Sequence, residues 1–227
     1  MYQKRSDRLS ALVIIGTGLF PEIAKLYFDK YTEHEVVAFA CHRKYKSTED
    51  LYGLPLVCIE DMFKDYPPSK FIVFVAVGYK NMNKVRESIY REIKTIGYEF
   101  ASFIHPNVTL CETVSYGENT FVFEDNTLQP FTKIGNNTII WSGNHVGHHS
   151  VIGDHCFISS HVVISGSCKV ENNVFIGVNA TLHDNISIAS ETFIGSSSLI
   201  TKSTKEKSVY VTPGTKQFKK NSDKLRF

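Results

Sequence analysis

From Ile104 to Ile200 every sixth residue is aliphatic. Of those seventeen positions sixteen are Leu, Ile or Val and only Tyr116 departs, although these three types make up 52 of the 227 residues. Two places earlier in each hexad, from Val108 to Ser198, stands a residue that is neither charged nor aromatic and is mostly small. Glycine follows this column position at 117, 135, 147, 153, 177 and 195. A six-residue period predicts a left-handed parallel β-helix of hexapeptide repeats, in which each hexad gives one short strand and one turn and three hexads close a triangular coil. The aliphatic column points inward and stacks on itself, at about 1.5–3 kcal/mol per fully buried side chain. Strands of an ordinary sandwich would instead show a period of two with irregular turns.

Upstream the period is different. ALVII (11–15) is a short apolar run ending in Gly16-Thr17-Gly18, and Pro21 suits the first turn of the helix that PEIAKLYFDKY continues. VVAFA (36–40) and FIVFVAVG (71–78) read as a second and third buried strand. NMNKVRESIYREIKTIG then reads as a helix with Asn81 or Asn83 as cap and Gly97 as stop. Strands joined by helices in this way predict a small Rossmann-like parallel sheet. The expected organisation is therefore α/β followed by all-β: residues 1–103 as the Rossmann-like part, 104–227 as the β-helix with its tail.

Composition narrows the function classes. A formal net charge of +2 with no basic block in the body of the chain offers no nucleic-acid surface. Only Lys216 through Arg226 is locally basic, as a solvated terminus is. Five cysteines without a CxxC pattern fit a reducing compartment. MYQKRSDRLS leads into the first strand with neither a leader's apolar region nor a membrane span, so a cytoplasmic protein without membrane contact is expected.

The stretch WSGNHVGHHSVIG (141–153) carries His145, His148 and His149. Same-face neighbours on a three-sided coil are 18 residues apart. His149, His155 and His161, spaced by six, therefore fall on three different sides and do not converge on a metal, which needs three or four ligands at about 2.0–2.1 Å. The gamma-class carbonic anhydrases, which this half resembles in repeat, use a histidine pair five apart and another 36 apart. No two histidines here have either spacing. No metal is expected. His148 follows Gly147 at an outward corner, where neighbouring subunits of such helices meet.

The two-part layout, with VAVGYKNMNKVRESIYREIKTIGYEFASFIHPNV joining the halves and HHSVIGDHCFIS after it, resembles the hexapeptide-class sugar acyltransferases. These include sialic acid O-acetyltransferases and the N-acetyltransferases of nucleotide-linked 4-amino sugars. The resemblance covers residues 11–215. It implies a homotrimer with sites between adjacent β-helices, acetyl-CoA as co-substrate, and a sugar or nucleotide-sugar acceptor in bacterial surface-glycan biosynthesis. The family's base precedes the glycine of the V-I-G turn by five residues, which makes His148 the catalytic base. An imidazole with an unperturbed pKa of about 6.5 is largely neutral yet basic near pH 7. The resemblance also places Gly166, one coil further on, against the thioester. It places Pro213 and Gly214 of VYVTPGTK beside the adenine end of CoA, with Lys216 as a candidate for its phosphates.

Three departures from the family leave residue roles open. Relatives often carry a carboxylate directly after the base, whereas this chain has His149, which is assigned a supporting catalytic role. The missing carboxylate would come from Glu124 or Asp125 in FEDN, or from a neighbouring chain. Gly16 and Gly18 give only part of a dinucleotide fingerprint. With Gly78 they are assigned to a sugar-nucleotide crevice, phosphates at the following helix N-terminus. After the second strand stand Cys41-His42-Arg43-Lys44 in place of acidic residues, so His42 and Arg43 either pair with phosphate or form a solvated loop. His145 either touches the acceptor or covers the cleft. Trp141 and Phe131 are subunit anchors or walls of the sugar pocket. Amine and hydroxyl acceptors fit equally. A non-catalytic hexapeptide scaffold and a zinc hydrase are the competing classes.

Overall fold

A computed structural model describes residues 11–219 and 221–224 of the chain. The N-terminal stretch read for a leader, and the end of the basic tail, lie outside those residues. No described helix is long and apolar enough to cross a membrane.

The first part is built from β1 (Ala11–Ile15), α1 (Leu19–Tyr31), β2 (Glu35–Cys41), β3 (Asp50–Leu51), β4 (Leu54–Cys58), α2 (Met62–Asp65), β5 (Phe71–Val75) and α3 (Lys84–Ile96). Its strand order is β3-β4-β2-β1-β5, parallel except for the β3–β4 hairpin. The three expected strands, β2, β1 and β5, are adjacent in it, with β5 at the edge. The hairpin was not foreseen, because Pro55 interrupts the apolar run of β4. α1 covers one side of the sheet through Ala24 and Phe28, while Met62 of α2 and Tyr90 and Ile93 of α3 cover the other. Gly97 ends α3 in the left-handed region at φ 100°, as expected. Asn83 holds the N-cap position, yet its side chain makes no capping bond. It is drawn away instead, its Nδ2 donating to Val174 O at 3.2 Å.

Eighteen two-residue strands follow, from β6 (Phe103–Ile104) to β23 (Val209–Tyr210). They stack in three parallel sheets, with partners such as Ile140 and Ile158 in register 18 residues apart. Face one holds the strands at 103–104, 121–122, 139–140, 157–158, 175–176, 193–194 and 209–210. Face two runs from 109–110 to 199–200, and face three from 115–116 to 187–188. The aliphatic residue of each pair points inward, and from Val122 to Ile200 all are buried. Cys156, Cys168 and other small residues complete the interior, which is why bulk and charge are absent two places before the aliphatic position.

Each corner needs one residue in the left-handed region, and every sixth residue from Asn119 to Ser197 has φ between 52° and 75°. Asparagine supplies five of these corners and His149, His155 and His161 supply three. Asn and His adopt this conformation more readily than most side chains. The three evenly spaced histidines thus have a backbone reason to be where they are.

Outward residues decide what each face does. On face one Phe103, Phe121, Ile139, Phe157 and Phe175 form a ladder buried against Leu12, Ile14, Phe28 and Phe74 of the first part. Trp141, half-buried, stacks on Phe123 at 4.4 Å and meets Phe20 of α1 at 6.3 Å. It is a joint between the two parts of one chain and not a subunit anchor.

The edge between faces three and one is clamped by Arg86 of α3, fully buried. Its Nε donates to Asn137 O at 3.2 Å, and Nη2 donates to His155 O and Cys156 O, both at 2.9 Å. Nη1 donates to Gly78 O at 2.9 Å and to Asn83 Oδ1 at 3.2 Å. Burial pulls its pKa down to about 9, which leaves it charged at pH 7. Beside it His155 is buried, its Nδ1 2.8 Å from Asn137 Nδ2. Desolvation lowers its pKa to about 4, against the opposing pull of Glu87.

Two outcomes follow for stability. Arg86→Met, which strands these carbonyls without a donor, is expected to cost at least about 3 kcal/mol, read as a lower urea midpoint. Arg86→Lys, with three donors and no planar fork, should recover only part of the loss. For His155 the unfolded side chain binds a proton that the folded one refuses between its ordinary pKa of about 6.5 and the folded value of about 4. Its contribution is therefore intact above the upper value and declines as pH falls through that window. Thermal melts should show the decline, and His155→Asn, which keeps the corner conformation, should flatten it.

Candidate active site

His148 lies on the edge between faces two and three, exposed, directly after the face-two strand His145–Val146. Its backbone is fixed from both sides. The N–H donates to Gln129 Oε1 at 2.9 Å, and the carbonyl accepts from Ser167 N at 2.8 Å. Gln129 stands in the preceding coil and Ser167 in the next, so the corner is held by its neighbours in the stack. Gln129 was missed in the sequence. It sits 18 residues before Gly147 in a column otherwise unremarked.

The ring reaches the next coil. A Cβ built on Gly166 would stand 2.8 Å from His148 Nε2 and 2.9 Å from Cε1. The imidazole thus occupies the space that any side chain at 166 would need, and the backbone beside its Nε2 is bare. Gly147 is equally constrained, because its own Cβ would meet Gly166 N at 2.5 Å. On the other flank, His148 Nδ1 is 3.1 Å from His149 Nδ1. The ring of His149 lies 4.7 Å from that of Phe131. Phe131 is an exposed neighbour of this pair.

The structure brings together His148, His149 and Gly166, with His145 on the adjoining face two, where it pairs with Thr127 and Val163. The other sequence candidates lie elsewhere in the chain. Glu124 and Asp125 occupy the edge between faces one and two, across face two from His148. Glu124 accepts from Tyr27 Oη at 2.7 Å and from Ser142 Oγ at 2.6 Å. These donors help hold its carboxyl below the usual range against the upward push of burial. Burial and this carboxylate raise Tyr27 to about 12. Glu124 is therefore not the support of His148 within its own chain, and exposed Asp125 is on the same distant edge.

Gly16, Gly18 and Gly78 lie at the carboxyl ends of β1 and β5, next to face one. A Cβ on Gly16 (φ 144°) would stand 2.6 Å from Ala76 O, so close approach of the two strands requires glycine there, whereas Gly18 and Gly78 border open space. His42 and Arg43 do not form a free basic cluster. His42 Nε2 contacts Glu92 Oε2 at 2.8 Å, and Arg43 is paired with Asp61 while its N–H donates to Glu60 at 3.1 Å. Local acids, invisible as partners in the sequence, neutralise the patch. Pro213, Gly214 and Lys216 follow β23 in an exposed extended tail, held near its start by Thr212 Oγ1 donating to Ser196 O at 2.8 Å. That sets the start of the tail, at Thr212, on the edge between faces one and two. Among the described residues no three His, Cys, Asp or Glu side chains are grouped as a metal site would require.

The family described as bacterial transferase hexapeptide (six repeats) matches residues 131–166, which span the His148 corner and Gly166. The β-helix is of the left-handed hexapeptide kind. The acetyltransferase domain of PglB from Neisseria gonorrhoeae FA1090 aligns at 19% identity over 88% of this chain and 95% of its own, with a TM-score of 0.78. PerB from Caulobacter crescentus, solved in complex with CoA and GDP-perosamine, aligns at 20% identity over 90% and 93%, with a TM-score of 0.74. WeeI from Acinetobacter baumannii AYE aligns at 20% identity over 88% and 94%, with a TM-score of 0.51. At these identities the structures show a shared fold. No curated protein matches in sequence.

Gly166→Ala tests the corner directly. The methyl group must displace the His148 ring, the movable end of a side chain, so the stability cost should stay within about 1 kcal/mol. The His148 ring resonances should nevertheless shift, as should those of His149.

Proposed function

We propose that this chain is an acetyl-CoA-dependent sugar acyltransferase. It transfers an acetyl group to an amino or hydroxyl group of a nucleotide-linked sugar by direct attack, with His148 as general base. The observation that carries this reading is the His148 ring lying over Gly166. It sets Nε2 of an exposed imidazole against a strip of backbone with no side chain, at a corner that a thioester would approach from solvent. The neutral ring takes the proton from the attacking group as the carbon–nitrogen or carbon–oxygen bond forms. The tetrahedral oxyanion then needs a donor such as a backbone N–H, and its collapse breaks the carbon–sulfur bond and expels coenzyme A as the thiolate, which takes a proton from solvent. The kinship in fold with PglB's acetyltransferase domain and with PerB, which were solved with acetyl coenzyme A and with CoA plus GDP-perosamine respectively, supports the same pair of substrates here.

One chain does not complete the site. His148 and Gly166 sit on one edge, while Glu124, Asp125 and the start of the tail at Thr212 sit on another, with face two between them. A homotrimer that sets the His148 edge of one copy against the other edge of its neighbour would unite them, and leave acetyl-CoA bound between chains. Residues 1–103 would then serve the sugar nucleotide and 104–227 the transfer. The setting proposed is a cytoplasmic step of bacterial surface-glycan assembly.

Thiol release from acetyl-CoA against a panel of nucleotide-linked amino sugars and free sialic acids tests this. His148→Ala is expected to lose on the order of 10²–10⁴ in kcat while the assembly size stays that of wild type. Equal turnover by the two proteins would remove His148 from the mechanism.

A further inference from the structure

We infer that His148 and His149 form a two-imidazole proton relay, in which His149 replaces the carboxylate as the positioning residue and carries the proton onward to solvent. The inference rests on the reading of His148 as the base. Its own observation is the 3.1 Å contact between the two Nδ1 atoms.

Two ring nitrogens at that distance hold one hydrogen between them, since two lone pairs or two N–H groups would repel. Either ring can be the donor, and the position of His148 decides which. Its Nε2 faces the bare backbone at Gly166, so action as a base there requires a lone pair on Nε2 and a hydrogen on Nδ1. That hydrogen is donated to His149 Nδ1, which places the hydrogen of His149 on its Nε2. A lone neutral imidazole in water favours the opposite tautomer to the one imposed on His148, so the contact leaves a readable mark.

The surroundings keep His149 in place. Its backbone is left-handed at φ 59°, and its N–H donates to Pro130 O at 3.1 Å. Phe131, in the equivalent corner one coil earlier, lies against its ring. The outer side of the ring is exposed.

The proton path balances at each atom. The lone pair of His148 Nε2 takes the proton of the attacking amine or hydroxyl. The His148 Nδ1–H bond breaks as His149 Nδ1 takes that hydrogen, so the positive charge passes to His149. The His149 Nε2–H then ionises to water, leaving both rings neutral with their tautomers exchanged, and solvent exchange restores them. A carboxylate would hold the charge on His148. A second imidazole can take it up and pass it on.

Long-range ¹⁵N–¹H spectra of the labelled full chain read the tautomers without any substrate. His148 is expected as the Nδ1–H tautomer in the wild type above pH 7 and as Nε2–H in His149→Gly, which fits the positive φ. An Nε2–H His148 in the wild type, or no change in the variant, would overturn the relay whatever the enzyme's acceptor proves to be. Kinetics separate orientation from proton uptake. His149→Asn still offers an oxygen to the Nδ1–H but takes no proton, and should lose at least about tenfold in kcat with the KM for acetyl-CoA unchanged. His149→Asp should recover the rate and raise the acid limb of the pH profile by about one unit. Wild-type kcat and pH profile in His149→Asn would limit His149 to orientation and refute the onward transfer. Absence of turnover by wild type with every acceptor, beside the expected tautomers, would count against the sugar-transfer reading alone.

Discussion

The Arg86 guanidinium is the interaction on which the arrangement of this molecule depends. It is charged, wholly buried, and satisfied by carbonyls from α3's own approach segment and from two coils of the β-helix. Desolvating such a group is expensive unless nearly every donor is used. The two halves can therefore meet in one way only, with α3 seated on the edge between faces three and one. Backbone carbonyls as partners make the joint indifferent to most side-chain changes around it. The asparagine column beneath extends the same logic, with Asn119 Oδ1 accepting from Val75 N at 2.7 Å and Asn119 Nδ2 donating to Asn137 Oδ1 at 2.8 Å. β5 is thereby tied to the first coils.

Once that edge and face one are consumed by the chain's own N-terminal half, the remaining surface of the prism has a defined supply of chemistry. Faces two and three stay open together with the edge between them, which carries the His148 corner, while α1 reaches the edge between faces one and two through Tyr27 at Glu124. Packing energy and site placement are thus linked. The phenylalanine ladder that stabilises the joint also decides which corners remain available to substrates or to another copy.

The β-helix was legible because its constraint is periodic: an inward column, a small inward neighbour and a left-handed corner recur every six residues. The phenylalanine ladder was equally legible at a spacing of 18, from Phe103 through Phe121 to Phe157 and Phe175, and marks the docking face. It escaped notice because a reading at period six averages three faces together. The His148–Gly166 pair came from position and resemblance, and the geometry gives it a steric reason. Arg86 had no signal, since an arginine in an amphipathic helix ordinarily faces water. The pairing of His42 with Glu92 and of Arg43 with Asp61 was also hidden, because each joins residues separated by 18 to 50 positions across the sheet's rim. Local sequence shows charge, but its neutralisation is a tertiary fact.

The corner histidines show how little the slot itself decides. His149, His155 and His161 share a hexad position and a left-handed backbone near φ 60°, yet the triangular coil turns them to three different edges. His155 is roofed by α3, where burial keeps it neutral against the attraction of Glu87. His161 is exposed, its ring lying where a side chain on Gly143 would stand. His149 meets a second imidazole and remains open to water on its far side. The backbone selects a residue type that tolerates the corner, and the edge then assigns the chemistry. A residue placed for conformational reasons can thereby meet a second imidazole, and among the three corner histidines only His149, on the edge between faces two and three, does so.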